Sequence, residues 1–280
     1  MTNANNTILV LGGTGKTGSR IAARLTDLGL PVRTAARDGG DVHFEWDDPS
    51  TQQQAVDSAN RVYLMAPVMR TTFAPQLSAF LDLAEAAGVS HVTYLSMYGM
   101  ERAPADVATR AVELDLMGRS RMTHSILRPA WFMQNFSEGF LRPLDGAVVV
   151  PTGSGGEAFV DVDDIAAVAA ATLADPEAHA GAAYAPTGPD VLTVAEAAEI
   201  ISQASGRLVS HVDINREAWV EGVLALGVPA EYGQMLRFLT ETVASGAGST
   251  PNTDVERVTG NPPRSFADFA RRSAAAWTEG

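Results

Sequence analysis

The sequence predicts an α/β fold: a doubly wound parallel sheet with a smaller C-terminal α/β lobe. Three observations point to it. Ile8-Leu9-Val10-Leu11 is an apolar run of the length of a buried strand. Gly12, Gly15 and Gly18 follow at intervals of three, before a helix that carries Ile21, Leu25 and Leu28 on one face and ends at Gly29. From there apolar runs and helical stretches alternate along the chain, the order that covers both faces of a parallel sheet with helices.

The opening unit has the chemistry of a dinucleotide site. Gly12 turns the chain off the strand, Gly15 leaves room for a pyrophosphate against the backbone, and Gly18 lets the helix pack on the sheet. The helix start offers free N–H groups and a partial positive charge. Gly15-Lys16-Thr17 imitates the end of a triphosphate-binding loop, but the first glycine of that motif would fall on Val10.

The next strand, 31–36, leads to Arg37-Asp38-Gly39-Gly40. An arginine at that strand end pairs with the 2′-phosphate of NADP, where a carboxylate would accept the 2′-hydroxyl of NAD. Arg37 therefore points to NADP(H), with Asp38 keeping NAD as the alternative. Residues 42–46 alternate as a third strand and lead to Asp47, which lies where the adenine would sit or caps the short helix over 52–58. The fourth strand, 61–67, brings Ala66 and Pro67 to its carboxyl end, where ligands bind in this fold.

A helix over 73–87 precedes the fifth strand, 91–96. Ser96 ends that strand and either hydrogen-bonds a substrate carbonyl or the nicotinamide carboxamide, or only caps the strand. Tyr98 follows on the loop, with Arg102 four residues on; it is expected to line the pocket and is a candidate proton donor. A helix over 105–117 leads to a sixth strand, 124–129, and then to Trp131, Phe132 and Met133, either the wall of a flat-ligand pocket or packing between lobes. A strand over 148–151 and a glycine-rich loop come next. Asp161, Asp163 and Asp164 resemble a metal cluster but read better as the capped, acid-rich start of a helix running to 174.

Beyond 175 a strand at 182–186 and a helix from Thr193 with Glu196 in a capping box come first. A strand at 208–212, helices at 216–226 and 230–246, a mobile-looking 246–251 stretch and a closing helix at 266–277 complete the chain. The expected division is 1–175 for the dinucleotide-binding domain and 176–280 for the substrate-side lobe.

Composition narrows the function. A net charge of −13 argues against a general nucleic-acid binder. No apolar run reaches membrane-span length and no secretory leader opens the chain, so a cytoplasmic protein is expected. The absence of cysteine removes disulfides, thiolate catalysis and Cys-ligated zinc. The histidines lack metal-ligand spacing, and no metal is expected. Lys16 is the only lysine, so the Tyr-x-x-x-Lys pair of ordinary short-chain dehydrogenases cannot be built.

The chain resembles the NmrA-like atypical short-chain dehydrogenases/reductases, a Rossmann-fold family. The resemblance is carried by Gly12–Gly18, Arg37, Phe44–Pro49, Ile126–Phe136, Phe159–Ile165, Thr187–Pro189 and Pro263–Phe269. Within that family it is most similar to the ergot-alkaloid type and the NAD(P)H:quinone type of reductase. The resemblance implies cofactor contacts at Gly12, Thr14, Gly15, Lys16, Thr17, Arg37, Ala66, Pro67 and Ser96. It implies an NADPH-dependent reductase passing hydride to a small conjugated, quinone-like or imine substrate in secondary metabolism, as monomer or homodimer. A non-catalytic NADP(H) sensor and a non-redox isomerase or dehydratase are the alternatives. Where relatives carry a Lys or His on the helix before Ile126, this chain offers Thr109, Arg110, Glu113 and Asp115.

Overall fold

The computed structural model describes residues 6–278. The first half runs β1 (Thr7–Leu11), α1 (Lys16–Asp27), β2 (Val32–Ala36), β3 (Val42–His43), α2 (Pro49–Val56), β4 (Ala59–Met65), α3 (Ala74–Ala86), β5 (His91–Leu95), α4 (Ala108–Gly118), β6 (Thr123–Leu127) and α5 (Asn135–Glu138). It continues with β7 (Ala147–Val149), β8 (Gly156–Glu157), α6 (Val162–Ala174), β9 (Ala182–Tyr184), β10 (Leu192–Thr193), α7 (Val194–Ser205), β11 (Ser210–Val212), α8 (Arg216–Ala225), α9 (Ala230–Ala244), α10 (Asp254–Thr259) and α11 (Phe266–Ser273).

Seven strands form one sheet in the order β3-β2-β1-β4-β5-β6-β9, every pair parallel. The order reverses between β1 and β4, which opens a crevice at the carboxyl ends of those strands. The apolar run of β1 follows from burial on both faces. Leu9 and Leu11 pack with α2, α3 and α4, whereas Ile8 and Val10 pack with α1 and α6. A third core gathers Phe136, Val148 and Phe159 with Val194, Ile201, Trp219 and Phe269, so the segment 133–159 packs with residues far beyond 175. Conversely β9, at 182–184, belongs to the main sheet. Segments from both sides of residue 175 thus share the main sheet and the third core.

Several local expectations change. The third strand stops at His43, because Phe44 and Trp46 turn in to stack edge-on against Phe80 of α3. The strand expected at 148–151 is β7, and it pairs with β11 in a separate two-stranded sheet. The 246–251 stretch is clamped, not loose: the buried Ser249 bonds to Glu157 and to the N–H of Ala158, and a methyl at Gly248 would meet the Gly156 carbonyl at 2.2 Å. Helix α10 and the β8–β10 pair had no distinct pattern in the sequence. The capping box of α7 forms as expected, with Thr193 and Glu196 bonded reciprocally. Among the described residues no helix is long and apolar enough to cross a membrane.

Candidate active site

The glycine turn sits at the crevice, and each glycine has a steric reason. Gly12 adopts φ +65°, the left-handed region, and a methyl there would strike the Met65 sulfur at 2.3 Å. A methyl on Gly18 would lie 2.2 Å from the Gly12 carbonyl oxygen, so no side chain fits between α1 and the turn. Gly15 differs: it is exposed, its φ is −85°, and its closest obstacle is the Gly12 oxygen at 3.2 Å. No side chain caps α1 and its first turn contains no acid. The helix start is therefore an open cradle of N–H donors, a fit for a pyrophosphate.

Thr14 is exposed beside this cradle, and the 37–40 loop packs against it, since a methyl at Gly39 would lie 3.5 Å from the Thr14 methyl. Arg37 is exposed on that loop, and its guanidinium has no partner among the described residues. Thr17 is buried, and its hydroxyl accepts from Tyr63 Oη at 2.9 Å. Lys16 lies half-buried between the turn and α5, where a methyl at Gly139 would come within 3.1 Å of Nζ. Burial lowers its pKa from the ordinary lysine value, against the attraction of Glu138. Ala66 is half-buried and Pro67 buried at the end of β4.

Asp47 is not the helix cap. Asp48 caps α2, accepting from the Ser50 N–H at 3.0 Å. Asp47 instead takes a fork from Arg70, with Arg70 Nη1 to Oδ1 at 2.7 Å and Nη2 to Oδ2. The Arg70 hydrogen bonds hold the Asp47 carboxyl below the usual carboxylate range.

Beyond β5 the polar groups are bonded to one another. Ser96 neither faces an open partner nor merely ends the strand: its hydroxyl donates to Glu113 Oε1 at 2.6 Å. Glu113 is fully buried and also receives Arg110 at 2.6 Å and a two-point contact from Arg128 at 2.8 and 2.9 Å. Burial alone would raise the Glu113 pKa, but the bonds from Arg128, Ser96 and Arg110 win and lower it. Tyr98 meets Thr250, 3.4 Å from both its Oγ1 and its N–H. Arg102 leans on Glu101, at 3.7 Å, and does not pair with Tyr98. A polar cavity of about 270 Å³ opens here, its lining including Tyr98, Arg102, Arg128, Tyr184, Thr250 and Asn252.

The aromatic trio divides. Trp131 is partly exposed and stands edge-on to Phe140 at 5.8 Å, an aromatic neighbour that lay unmarked in the sequence. Phe132 is partly buried against the α1–α6 core, its backbone paired with Val160. Met133 is 1% exposed and belongs to the third core, against which Trp131 also packs, so it is a packing residue. Sequence reasoning also missed Glu157, buried and accepting from Ser249 Oγ, the Ser249 N–H at 3.0 Å and the Trp131 N–H at 3.3 Å. Its only signal was one acid beside the apolar run Ala158-Phe159-Val160. Burial raises the pKa of this carboxyl.

The aspartates at 161–164 serve structure. Asp161 accepts from Asp163 N–H and from Gln134, and pairs with Arg272; Asp164 pairs with Arg264. Among the described residues no cluster could hold a metal ion.

Comparison with known proteins completes the picture. The model of the NmrA-like family matches residues 4–260. A Bacillus subtilis protein described as an uncharacterized oxidoreductase is 38% identical, over 98% of this chain and 97% of its own. Festuclavine synthase II of Penicillium roqueforti is 32% identical over 97% of this chain and 99% of its own. Among solved structures, an NADPH-dependent quinone oxidoreductase of Escherichia coli, complexed with NADPH, superimposes with a TM-score of 0.78 at 19% identity. That match covers 95% of this chain and 99% of the other.

Proposed function

The chain belongs to the NmrA-like family, and we propose that within it the protein is an NADPH-dependent reductase of a small conjugated, quinone-like or imine substrate. The observation that carries this is the open cradle at Gly15 and the α1 start, flanked by an exposed Arg37 whose guanidinium is unpaired among the described residues. The fit is specific in kind: anion-binding N–H groups for the pyrophosphate, and a guanidinium for the 2′-phosphate. The names of the relatives, an oxidoreductase and a festuclavine synthase, support the reading.

When bound, the nicotinamide supplies a hydride. The protein's own part is positioning and exclusion of water. The backbone of the 12–18 turn, with Thr14, Lys16 and the Thr17 N–H, holds the phosphates. Arg37 selects the 2′-phosphate, while Asp47, Ala66 and Pro67 border the base and ribose. Tyr98, Trp131 and Phe132 wall the acceptor.

Ser96 adds a chemical restriction. A hydroxyl has one proton, and this one goes to an ionised, arginine-held carboxylate. Ser96 can then accept a hydrogen bond from a neighbouring group but not donate one to a carbonyl. Acceptors that take hydride without a protein acid, such as iminium ions and quinones, suit that arrangement.

The test is to follow the absorbance of the reduced cofactor with a panel of quinones, iminium compounds and simple ketones. Turnover of the first two classes and not the third is expected. Silence across the panel with cofactor bound would favour a non-catalytic cofactor sensor.

A further inference from the structure

We propose that Arg70 is a base-reading residue that holds the adenine site shut with its own guanidinium until the cofactor arrives; this rests on the reductase reading above. Asp47 stands just after the third strand of the cofactor half, and Arg70 on the loop that follows β4, the strand beside β1. Both Asp47 oxygens are occupied by the flat Arg70 fork, and Gln76 Nε2 adds a third donor at 3.3 Å from Oδ1. The fork covers the edge of the carboxylate that faces Arg70, so adenine can bond both to that edge and to Arg70 only after the pair has opened. Yet the pair is easily opened, because the side chains of Arg70 and Asp47 are 40% and 63% exposed.

The loop itself need not move. Thr71, the next residue, is fixed to Glu231 of α9 at 2.8 Å, and Pro67 is buried at the loop's start. A rotation of the Arg70 side chain suffices. Once apart, the two groups present an acceptor, Asp47, next to a donor, Arg70. Adenine offers the complement along either edge: an amino N–H beside a ring nitrogen that accepts. A base with a carbonyl at that carbon puts an acceptor against the Asp47 carboxylate and is rejected. The exchange also costs few hydrogen bonds, since the cofactor replaces what the guanidinium gives up.

The experiment measures dissociation constants for NADPH, NADH and deamino-NADPH, whose base is hypoxanthine, by quenching of tryptophan fluorescence. It uses the full chain, Asp47→Asn and Arg70→Ala, with thermal unfolding to confirm that both exposed-site variants fold. The unaltered protein is expected to prefer NADPH over deamino-NADPH by about tenfold. Asp47→Asn, which can donate, should bring that ratio close to one. Arg70→Ala should reduce it as well and leave the NADPH-to-NADH ratio unchanged. An unaltered protein that binds both bases equally, or variants that keep the full base preference, would overturn the proposal. So would an Arg70→Ala effect confined to the NADPH-to-NADH ratio, which would make Arg70 a phosphate ligand. Failure of all three cofactors to bind would instead refute the reductase reading.

Discussion

Alanine at Gly15 and at Gly18 should separate cofactor binding from folding within one turn of chain. The added methyl at Gly18 would sit 2.2 Å from the Gly12 carbonyl oxygen and 2.7 Å from its carbon. Both are backbone atoms of a turn already held at φ +65°, so α1 must shift outward. Overpacking of this kind costs about 2 kcal/mol, which lowers Tm by roughly 4–8 °C in a chain of this size. At Gly15 the backbone is extended, with φ −85° and ψ 177°, and the methyl clears everything but the Gly12 oxygen at 3.2 Å. The fold should tolerate it within about 1 kcal/mol. The same methyl, however, projects into the space a pyrophosphate needs to reach the N–H groups of α1. Losing charge-assisted bonds there costs about 1.5–3 kcal/mol, or roughly 10- to 100-fold in affinity. Thermal unfolding and calorimetry with NADPH read the two effects. If Gly15→Ala bound NADPH as tightly as the parent protein, the cradle would not be the phosphate site.

Two other substitutions probe the buried carboxylates. Glu157→Gln strands one buried N–H whichever way the amide turns, because Oε1 and Oε2 each accept a backbone donor; the cost is about 1–3 kcal/mol, and proteolysis within 246–251 should quicken while the far side of the sheet stays protected. Glu113→Gln leaves the Arg128 and Arg110 guanidiniums facing an amide and should cost about 3 kcal/mol, measured by urea unfolding. The Glu113 pKa is lowered in the folded protein from an ordinary 4.5. Its contribution is therefore present above pH 4.5 and lost as pH falls through the lower folded value. Glu113→Gln should flatten the acid limb of the stability profile, and an unchanged limb would mean that other carboxylates set it.

Local chemistry made much of the fold legible. The Ile21–Leu25 spacing of α1, the glycine intervals and the Thr193–Glu196 box are each written within a few adjacent residues and form as the sequence implies, whereas Leu28, expected on the same face of α1, lies past the helix end and is 60% exposed. The shortfall lies in pairings distant along the chain. Glu157 and Ser249 are 92 residues apart, and nothing local distinguishes a clamped serine from a loop serine. Glu113 stood among the candidates on its helix, but its role depends on Arg128 and Ser96 arriving from two neighbouring strands. Asp47 stood out at the end of its strand, but its partner Arg70 lay in a loop that carries no periodic pattern. For the 131–133 run the sequence left pocket wall and core packing open, and Met133 falls on the packing side because its partners in the third core come from distant segments.

The central claim is a cradle for a phosphorylated nicotinamide cofactor with a guanidinium at the adenosine end. Calorimetric titration of NADPH and NADH into the unaltered chain and into Arg37→Glu tests it most directly. The account predicts that NADPH binds more tightly than NADH, and that charge reversal at Arg37 weakens NADPH by at least about tenfold with little effect on NADH. Heat from neither cofactor, or an NADPH affinity indifferent to the reversed charge, would contradict it.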